Sequence, residues 1–497
     1  MSSSLFSLLN RARSTAVGFH DRFSWTVRFY GTDRYSRIVL NRNRKMSLAP
    51  QLDRWIDSGK SVQPWKLLDV IQRLRKQRRF SQALEISEWM RNRGVSGPLQ
   101  SYHSIQLDLV GKVHGLASAE SYFNSLSEED RTERVYGTLL NCYIRKSLPE
   151  KSLSHMQKMK ELGFVSSVLP YKDIMSLYTK VGQYEKVPDM LTEMKENGIL
   201  PDNFSYRISI NSYGKRSDFD AMEKILEEMT QQEYITMDWN TYTVVANHYI
   251  KAGLSDKAIA ALKKAEEILL EKPDRDGFDH LFSLYGNLGS KSEVLRLKEV
   301  QESVYKEGLL SRDYCTFIGA LLKCGELEDA KLLLKEWESS GNSYDFRLPD
   351  MFLIWYCQQG LVEKAVEMLD EILLKGKTPP PNSYAILASG YMDKGDMGKA
   401  VDYMKSALSV FPGSKGWGPN LKVATSLLNW LGKKAEIEQV ESFVGLLRAA
   451  IPINKEMYLA LIKTNVREGK EVDGLLKSME DDKIEVDEEM KKLLAKN

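Results

Sequence analysis

The sequence has few cysteines, no long apolar run, almost no net charge and no catalytic spacing of histidines. Only Cys142, Cys315, Cys324 and Cys357 occur in 497 residues, and no two form a CxxC pair. That argues against a disulfide framework or a structural zinc, and predicts buried thiols in a reduced compartment. The longest apolar run, MFLIWYC at 351–357, is far short of the roughly 20 residues a helical bilayer span needs. The 70 basic and 68 acidic residues balance to +2, so a polycation is excluded and any affinity for a polyanion must come from charge placement. His20, His103, His114, His155, His248 and His280 make no HExxH and no metal pair at helical spacing. No HxE followed by CxxC lies near the C-terminus, and SMEDDKIEVDEEM reads as a solvated helix rather than a cation site. Nothing in these patterns supplies an enzyme, a metal or a cofactor.

Residues 1–48 differ from all that follows. They hold eight Arg, one Lys and eight Ser against only Asp21 and Asp33. An Arg-rich, Ser-rich, acid-poor start with an early apolar cluster (Leu5, Phe6, Leu8, Leu9) fits an organellar transit peptide drawn in by a negative-inside potential. VRFYGT resembles a mitochondrial processing site, with Arg28 three residues before a cut after Tyr30. Losing residues 1–30 removes four arginines and one aspartate, which takes the net charge from +2 to −1. Residues 31–63 are then a linker or N-terminal cap.

From residue 64 onward the chain repeats. Tyr143, Tyr178, Tyr213, Tyr249, Tyr285, Leu321, Tyr356 and Tyr391 follow one another at steps of 35 or 36. Four residues after each comes Gly or Ser: Ser147, Gly182, Ser217, Gly253, Gly289, Gly325, Gly360, Gly395. Met90, Met159, Met194 and Met229 mark the ends of several units. Within one unit, Tyr171, Ile174, Met175 and Tyr178 lie at i, i+3, i+4, i+7, one face of a helix. Val187, Met190, Leu191 and Met194 repeat the spacing on a second helix, which NGILPD closes with glycine and proline. A hairpin this small cannot bury its own apolar face. Stacked neighbours can, and the expected fold is all-α: a right-handed superhelical solenoid with a continuous core. About twelve units fit between 64 and 487, the first two and last three degenerate, with a tail at 488–497. The tenth carries a surface loop, FPGSKGWGPN at 411–420, whose GSK lacks the glycine spacing of a phosphate-binding loop.

A 35-residue helical hairpin with Tyr, Tyr, Lys-x-Gly, Ala, Met and a closing Gly-x-x-Pro-Asp resembles the pentatricopeptide repeat family, over roughly 64–487. The uniform units are similar to its P-type subclass, found chiefly in plant organelles. A tetratricopeptide array would show an early Trp and a Gly beside the first Leu, which these units lack. The resemblance implies single-stranded RNA laid along the first helices at one base per repeat. It also implies that two residues per repeat choose the base: the one after the first Tyr, and the last of the unit. In this sequence they are Lys172 with Asp202, Arg207 with Asp238, Thr243 with Asp274, Asp279 with Leu310, and Cys315 with Asp345. Further out stand Gly137 with Ser167, Asp350 with Pro380, and Ala385. Only Thr243–Asp274 matches the family pattern, where it implies guanine. Lys172 and Arg207 are long and charged, and each could instead pair with its aspartate.

A second column precedes the glycine by two residues: Lys76, Arg145, Lys180, Lys215, Lys251 and Lys323. The resemblance implies contact with RNA phosphates, whereas the helix dipole alone also favours cations at these C-terminal ends. The column fails at Asn287 and Gln358 and reverses at Asp393, which places the RNA-contacting part in the N-terminal half. The expected function is a non-catalytic adaptor in mitochondrial RNA processing, stability or translation, in the matrix, with chloroplast as the weaker alternative. The expected partner is single-stranded or ribosomal RNA, with no membrane and no small-molecule substrate. The competing reading is a structural component of the mitochondrial ribosome, in contact with its proteins.

Overall fold

The computed structural model describes residues 46–59, 62–94, 102–306, 308–410 and 417–494. The transit peptide at 1–30 and most of the 411–420 loop lie outside them. The described residues form helices and connecting turns, in two compact units divided between Lys272 and Pro273.

The first unit contains α1 (Ala49–Asp57), α2 (Pro64–Lys76), α3 (Phe80–Asn92), α4 (Tyr102–Val113), α5 (Leu116–Ser125), α6 (Glu133–Arg145) and α7 (Pro149–Glu161). It continues with α8 (Val168–Val181), α9 (Val187–Glu196), α10 (Asn203–Lys215), α11 (Phe219–Thr230), α12 (Trp239–Lys251) and α13 (Ser255–Glu271). The second unit begins with α14 (Arg275–Asn287), α15 (Lys291–Val304), α16 (Ser311–Cys324), α17 (Leu327–Ser339), α18 (Arg347–Gln358) and α19 (Val362–Leu374). It ends with α20 (Pro381–Lys394), α21 (Met397–Val410), α22 (Leu421–Lys434), α23 (Ile437–Ala450), α24 (Lys455–Arg467), α25 (Asp473–Asp481) and α26 (Glu488–Leu494).

The repeating columns have physical causes that the structure makes explicit. Every Gly or Ser after the tyrosine column is left-handed, from Gly182 at φ 80° to the serines Ser147 at 54° and Ser217 at 60°. The following residue donates its N–H back to the tyrosine-column carbonyl: Gln183 to Tyr178 at 2.9 Å, Leu254 to Tyr249 at 2.9 Å, Asp396 to Tyr391 at 2.9 Å. This closure satisfies a carbonyl the helix leaves open and reverses the chain. The column residue is therefore a turn, and glycine adopts it without the steric cost a Cβ brings. The methionine column is core: Met90, Met159, Met194 and Met229 are all at most 1% exposed.

First helices of neighbouring hairpins pack on one another: α4, α6, α8, α10 and α12 in succession in the first unit, α14, α16, α18 and α20 in the second. Their apolar faces supply many of the largest buried side chains, including Tyr171, Tyr206, Phe278, Phe317 and Phe352. The tyrosines keep a polar partner at the edge of this core, with Tyr206 Oη donating to Glu228 at 2.8 Å and Tyr314 Oη to Glu336 at 2.9 Å. Each hairpin alone would leave this surface in water, so stacking stabilises the fold.

Two segments at the margins are ordered beyond what the periodicity signals. Within 31–63, α1 docks through Leu48 and Leu52, and Glu85 accepts the backbone N–H groups of Leu48 and Ala49 at its start. At the other end, α26 buries Met490, and Lys463 pairs with Glu489 at 2.7 Å. No described helix is long and apolar enough to cross a membrane.

Candidate nucleic-acid interface

The closing aspartates of the units have a local role before any ligand is considered. Asp202 is the N-cap of α10, and its Oδ1 accepts the N–H of Ser205 at 2.9 Å and the Ser205 hydroxyl at 2.9 Å. Asp238 caps α12 in the same way, with Thr241 N and Oγ1 both at 2.8 Å from Oδ1. Asp274 caps α14 through Asp276 N at 3.3 Å. A short acceptor here satisfies donors that the first turn leaves open. The Asp–x–x–Ser/Thr spacing at 202–205 and 238–241 is a sequence signal for the first two caps, whereas residue 277 is glycine.

The second oxygen of the first two aspartates is also occupied. Lys172 Nζ, on α8, lies 2.8 Å from Asp202 Oδ2 and 4.9 Å from the Phe204 ring centre. Arg207 Nη1, on α10, lies 2.8 Å from Asp238 Oδ2. Burial would raise the Asp202 carboxyl, but the bonds from Lys172 and Ser205 outweigh it and hold the group below its usual range. The charge-pair alternative for Lys172 and Arg207 is thus the arrangement the structure adopts. Thr243, on α12, is 5% exposed and gives its hydroxyl to Asn240 O at 2.9 Å; Asp274 belongs to the second unit.

Three further predicted reader positions are engaged in the same manner. Asp279 takes Arg312 Nη2 at 2.6 Å and Thr316 Oγ1 at 2.7 Å. Asp350 accepts Ser383 Oγ at 2.6 Å and Asn382 Nδ2 at 2.9 Å, and Asp345 holds Arg347. Burial pushes the Cys315 thiol up to about 12, so it stays a thiol. Leu310 is half exposed.

The basic column divides. Arg145 is committed to Asp108, with Nη1 2.7 Å from Oδ1, and is not a free-standing cation. Lys180 Nζ reaches the Arg145 carbonyl at 3.3 Å, and Lys323 Nζ the Ser283 hydroxyl at 2.9 Å. Lys215 and Lys251 make no hydrogen bond or ion pair with a carboxylate among the described residues. They line a cavity of about 160 Å³ with His248, Ser217 and Gly214. His248 is buried, its Nε2 faces Asn211 Oδ1 at 3.0 Å, and burial together with the Lys251 and Lys215 charges lowers its pKa to about 4. The ring is neutral at physiological pH, so the cavity's charge comes from the two ammonium groups. The absence of a Cβ at Gly214 makes room for that ring, because one would fall 2.3 Å from His248 Cγ. No cluster of three or more His, Cys, Asp or Glu suited to a metal occurs among the described residues.

Stacked hairpins with these columns define an α-solenoid repeat protein. Models of the pentatricopeptide repeat match residues 134–164, 204–233, 313–342 and 352–376, and a second model of the family matches 166–215. A mitochondrial pentatricopeptide repeat-containing protein of Arabidopsis thaliana is 44% identical over 95% of this chain and 96% of its own length. A second such mitochondrial protein is 34% identical over 83% of each chain. The large ribosomal subunit protein mL101 (rPPR4) of Arabidopsis thaliana is 36% identical over 94% of this chain and 95% of its own. Among solved structures, the pentatricopeptide repeat protein PPR10 in complex with an 18-nt psaJ RNA element aligns with 93% of this chain and 78% of that one, at 17% identity and a TM-score of 0.38. The chain belongs to the pentatricopeptide repeat family.

Proposed function

We propose that this chain is a non-catalytic RNA-binding protein of the mitochondrial matrix that grips single-stranded RNA mainly through its phosphates, as an adaptor in RNA processing, stability or translation. The observation that carries this reading is the contrast between the two columns. Asp202 and Asp238 have both oxygens occupied, one by a helix cap and one by a cation. Lys215 and Lys251 face a cavity with no acidic partner. Base edges therefore find few open acceptors in these repeats, while phosphates find open cations. In this reading residues 1–30 are the import sequence, 31–63 the cap and 64–487 about twelve repeats. The mitochondrial names of full-length relatives support the compartment.

A second reading is a structural component of the mitochondrial ribosome, in contact with ribosomal RNA and protein. It is favoured by the full-length relative named as a large ribosomal subunit protein and by the same closed readers.

The test is RNA affinity against salt for the chain from residue 31 and for Lys180→Glu, Lys215→Glu and Lys251→Glu combined. With three phosphate contacts, the salt slope should fall by about 2 in the triple variant, at roughly 0.7 per contact. Unchanged affinity and slope would remove the phosphate column. Co-sedimentation with ribosomes in organelle extracts, with no free-RNA affinity, would select the second reading.

A further inference from the structure

In the first unit one buried carboxylate collects three cations. Asp108, on α4, is 6% exposed. Its Oδ1 accepts Arg145 Nη1 at 2.7 Å, and its Oδ2 accepts Arg75 Nη2 at 2.6 Å and Lys112 Nζ at 2.8 Å. The cations come from α6, α2 and α4, the first helices of three successive hairpins. Burial alone would raise the Asp108 carboxyl. Bonds from Lys112 and Arg145 and the charges of Lys112 and Arg75 outweigh it, so the group stays ionised at neutral pH.

One carboxylate balances one cation. No second carboxylate bonds Arg75, Lys112 or Arg145 among the described residues, so two of the three cations have no carboxylate of their own, and only the dipole at each helix's C-terminal turn favours them there. Gathering them costs mutual repulsion that a structural ion pair does not need. Two further features face the same way. The Nε of Arg75 is buried without a hydrogen-bond partner, a donor whose desolvation nothing in the fold offsets. The three cationic side chains remain 25–37% exposed, so solvent still reaches them.

We propose that Arg75, Lys112 and Arg145, held together by Asp108, form a seat for a phosphate dianion: the terminal phosphomonoester of an RNA strand. This rests on the RNA-binding reading above. An internal phosphodiester carries one negative charge, whereas a phosphomonoester carries about −1.5 to −2 at pH 7. The two cations without a carboxylate of their own match the latter. Arginine forks suit its oxygens. The cluster also lies in the first three hairpins of the array, where a strand end rather than its middle would come to rest.

The test measures affinity of the full chain for one unstructured RNA with hydroxyl ends, with a 5′-phosphate or with a 3′-phosphate, alongside inorganic phosphate alone. The expected result is about ten-fold tighter binding of one phosphorylated form. Lys112→Gln leaves Arg75 and Arg145 on Asp108, so the carboxylate stays paired; the advantage should shrink to about two- to three-fold, with the chain still folded by circular dichroism. Equal affinity for all three strands overturns the proposal while leaving RNA binding intact. No binding of any strand overturns it together with the RNA-binding reading. Protection by inorganic phosphate that is lost in Lys112→Gln, with no preference among strand ends, overturns the assignment to an RNA terminus and makes this a site for free phosphate.

Discussion

The ammonium of Lys172 lies 2.8 Å from Oδ2 of Asp202, thirty residues further on, and Arg207 repeats the arrangement with Asp238 one hairpin later. Each pair joins the first helix of one repeat to the N-cap of the next. Both pairs are partly exposed, so each contributes no more than about 1 kcal/mol to stability. Their larger effect is on chemistry, because each removes the last open carboxylate oxygen from a predicted reader. Lys172→Asn with Arg207→Asn should free both oxygens without unfolding the chain. A pooled-RNA selection is expected to show a preference at two adjacent bases that the parent protein lacks. A parent preference at those bases that disappears in the variant would mean that Lys172 and Arg207 are readers themselves.

Ser147 and Ser217 occupy left-handed turn positions where the other members of the column are glycine. Their Cβ costs energy there, while glycine would lose some of the gain to its freer unfolded chain. Ser147→Gly and Ser217→Gly should each stabilise by about 0.5–1 kcal/mol. Urea midpoints followed by circular dichroism are the readout, and both should move upward.

Gly286, on α14, is held to glycine by its neighbour rather than by its backbone angles. A Cβ there would lie 2.9 Å from Ala320 Cα and 3.0 Å from Ala320 O on α16. Backbone atoms cannot rotate away, so Gly286→Ala should destabilise by about 1–3 kcal/mol. Gly137, inside α6, faces open space, and a Cβ added there would meet nothing within 4 Å. Gly137→Ala should stabilise by about 0.5–1 kcal/mol, since it removes glycine's helix penalty. Opposite shifts of the two urea midpoints check the assignment.

Two buried carboxylates predict opposite responses to acid. Burial, with Asp345 adding repulsion against bonds from Ser383 and Asn382, pushes Asp350 up to about 6. Its folded value lies above the ordinary 3.8, so the native state takes the proton more readily than the unfolded chain. The cost of an ionised Asp350 is present above pH 6 and is relieved as pH falls through about 6. Between pH 7.5 and 5.5 the melting temperature of the parent should therefore rise relative to Asp350→Asn. Asp108 has the other sign. Its folded value is lowered from 3.8, so its contribution is complete above that value and is lost only as pH falls through the lower folded value. Asp350→Asn should flatten the first trend and leave the acid limb unchanged.

Much of the architecture was legible because it is local and repeated. Tyr178 and Gly182 mark a helix end and the left-handed residue that closes it, and both depend only on neighbours within five positions. Met194 marks an apolar face of fixed period. The cap helix α1 was less visible: its contacts with Glu85 lie 36 and 37 residues away, and one short amphipathic turn has no repeat to confirm it. The Asp108 cluster could have been sought at one-repeat spacing, since Arg75 and Arg145 lie 33 and 37 residues from it. The basic column instead pointed to Lys76, one position past the residue that reaches Asp108.

By itself the sequence determined the hairpins, their period, their turns and the family, since backbone closure and helical spacing are properties of short segments. Only the tertiary structure decided what the polar columns do. Whether Lys172 stands open or lies against Asp202, and whether Arg145 is a lone cation or one of three on Asp108, depends on side chains brought together from different hairpins. Electrostatics acts through space, and the chain distance between these groups is an entire repeat.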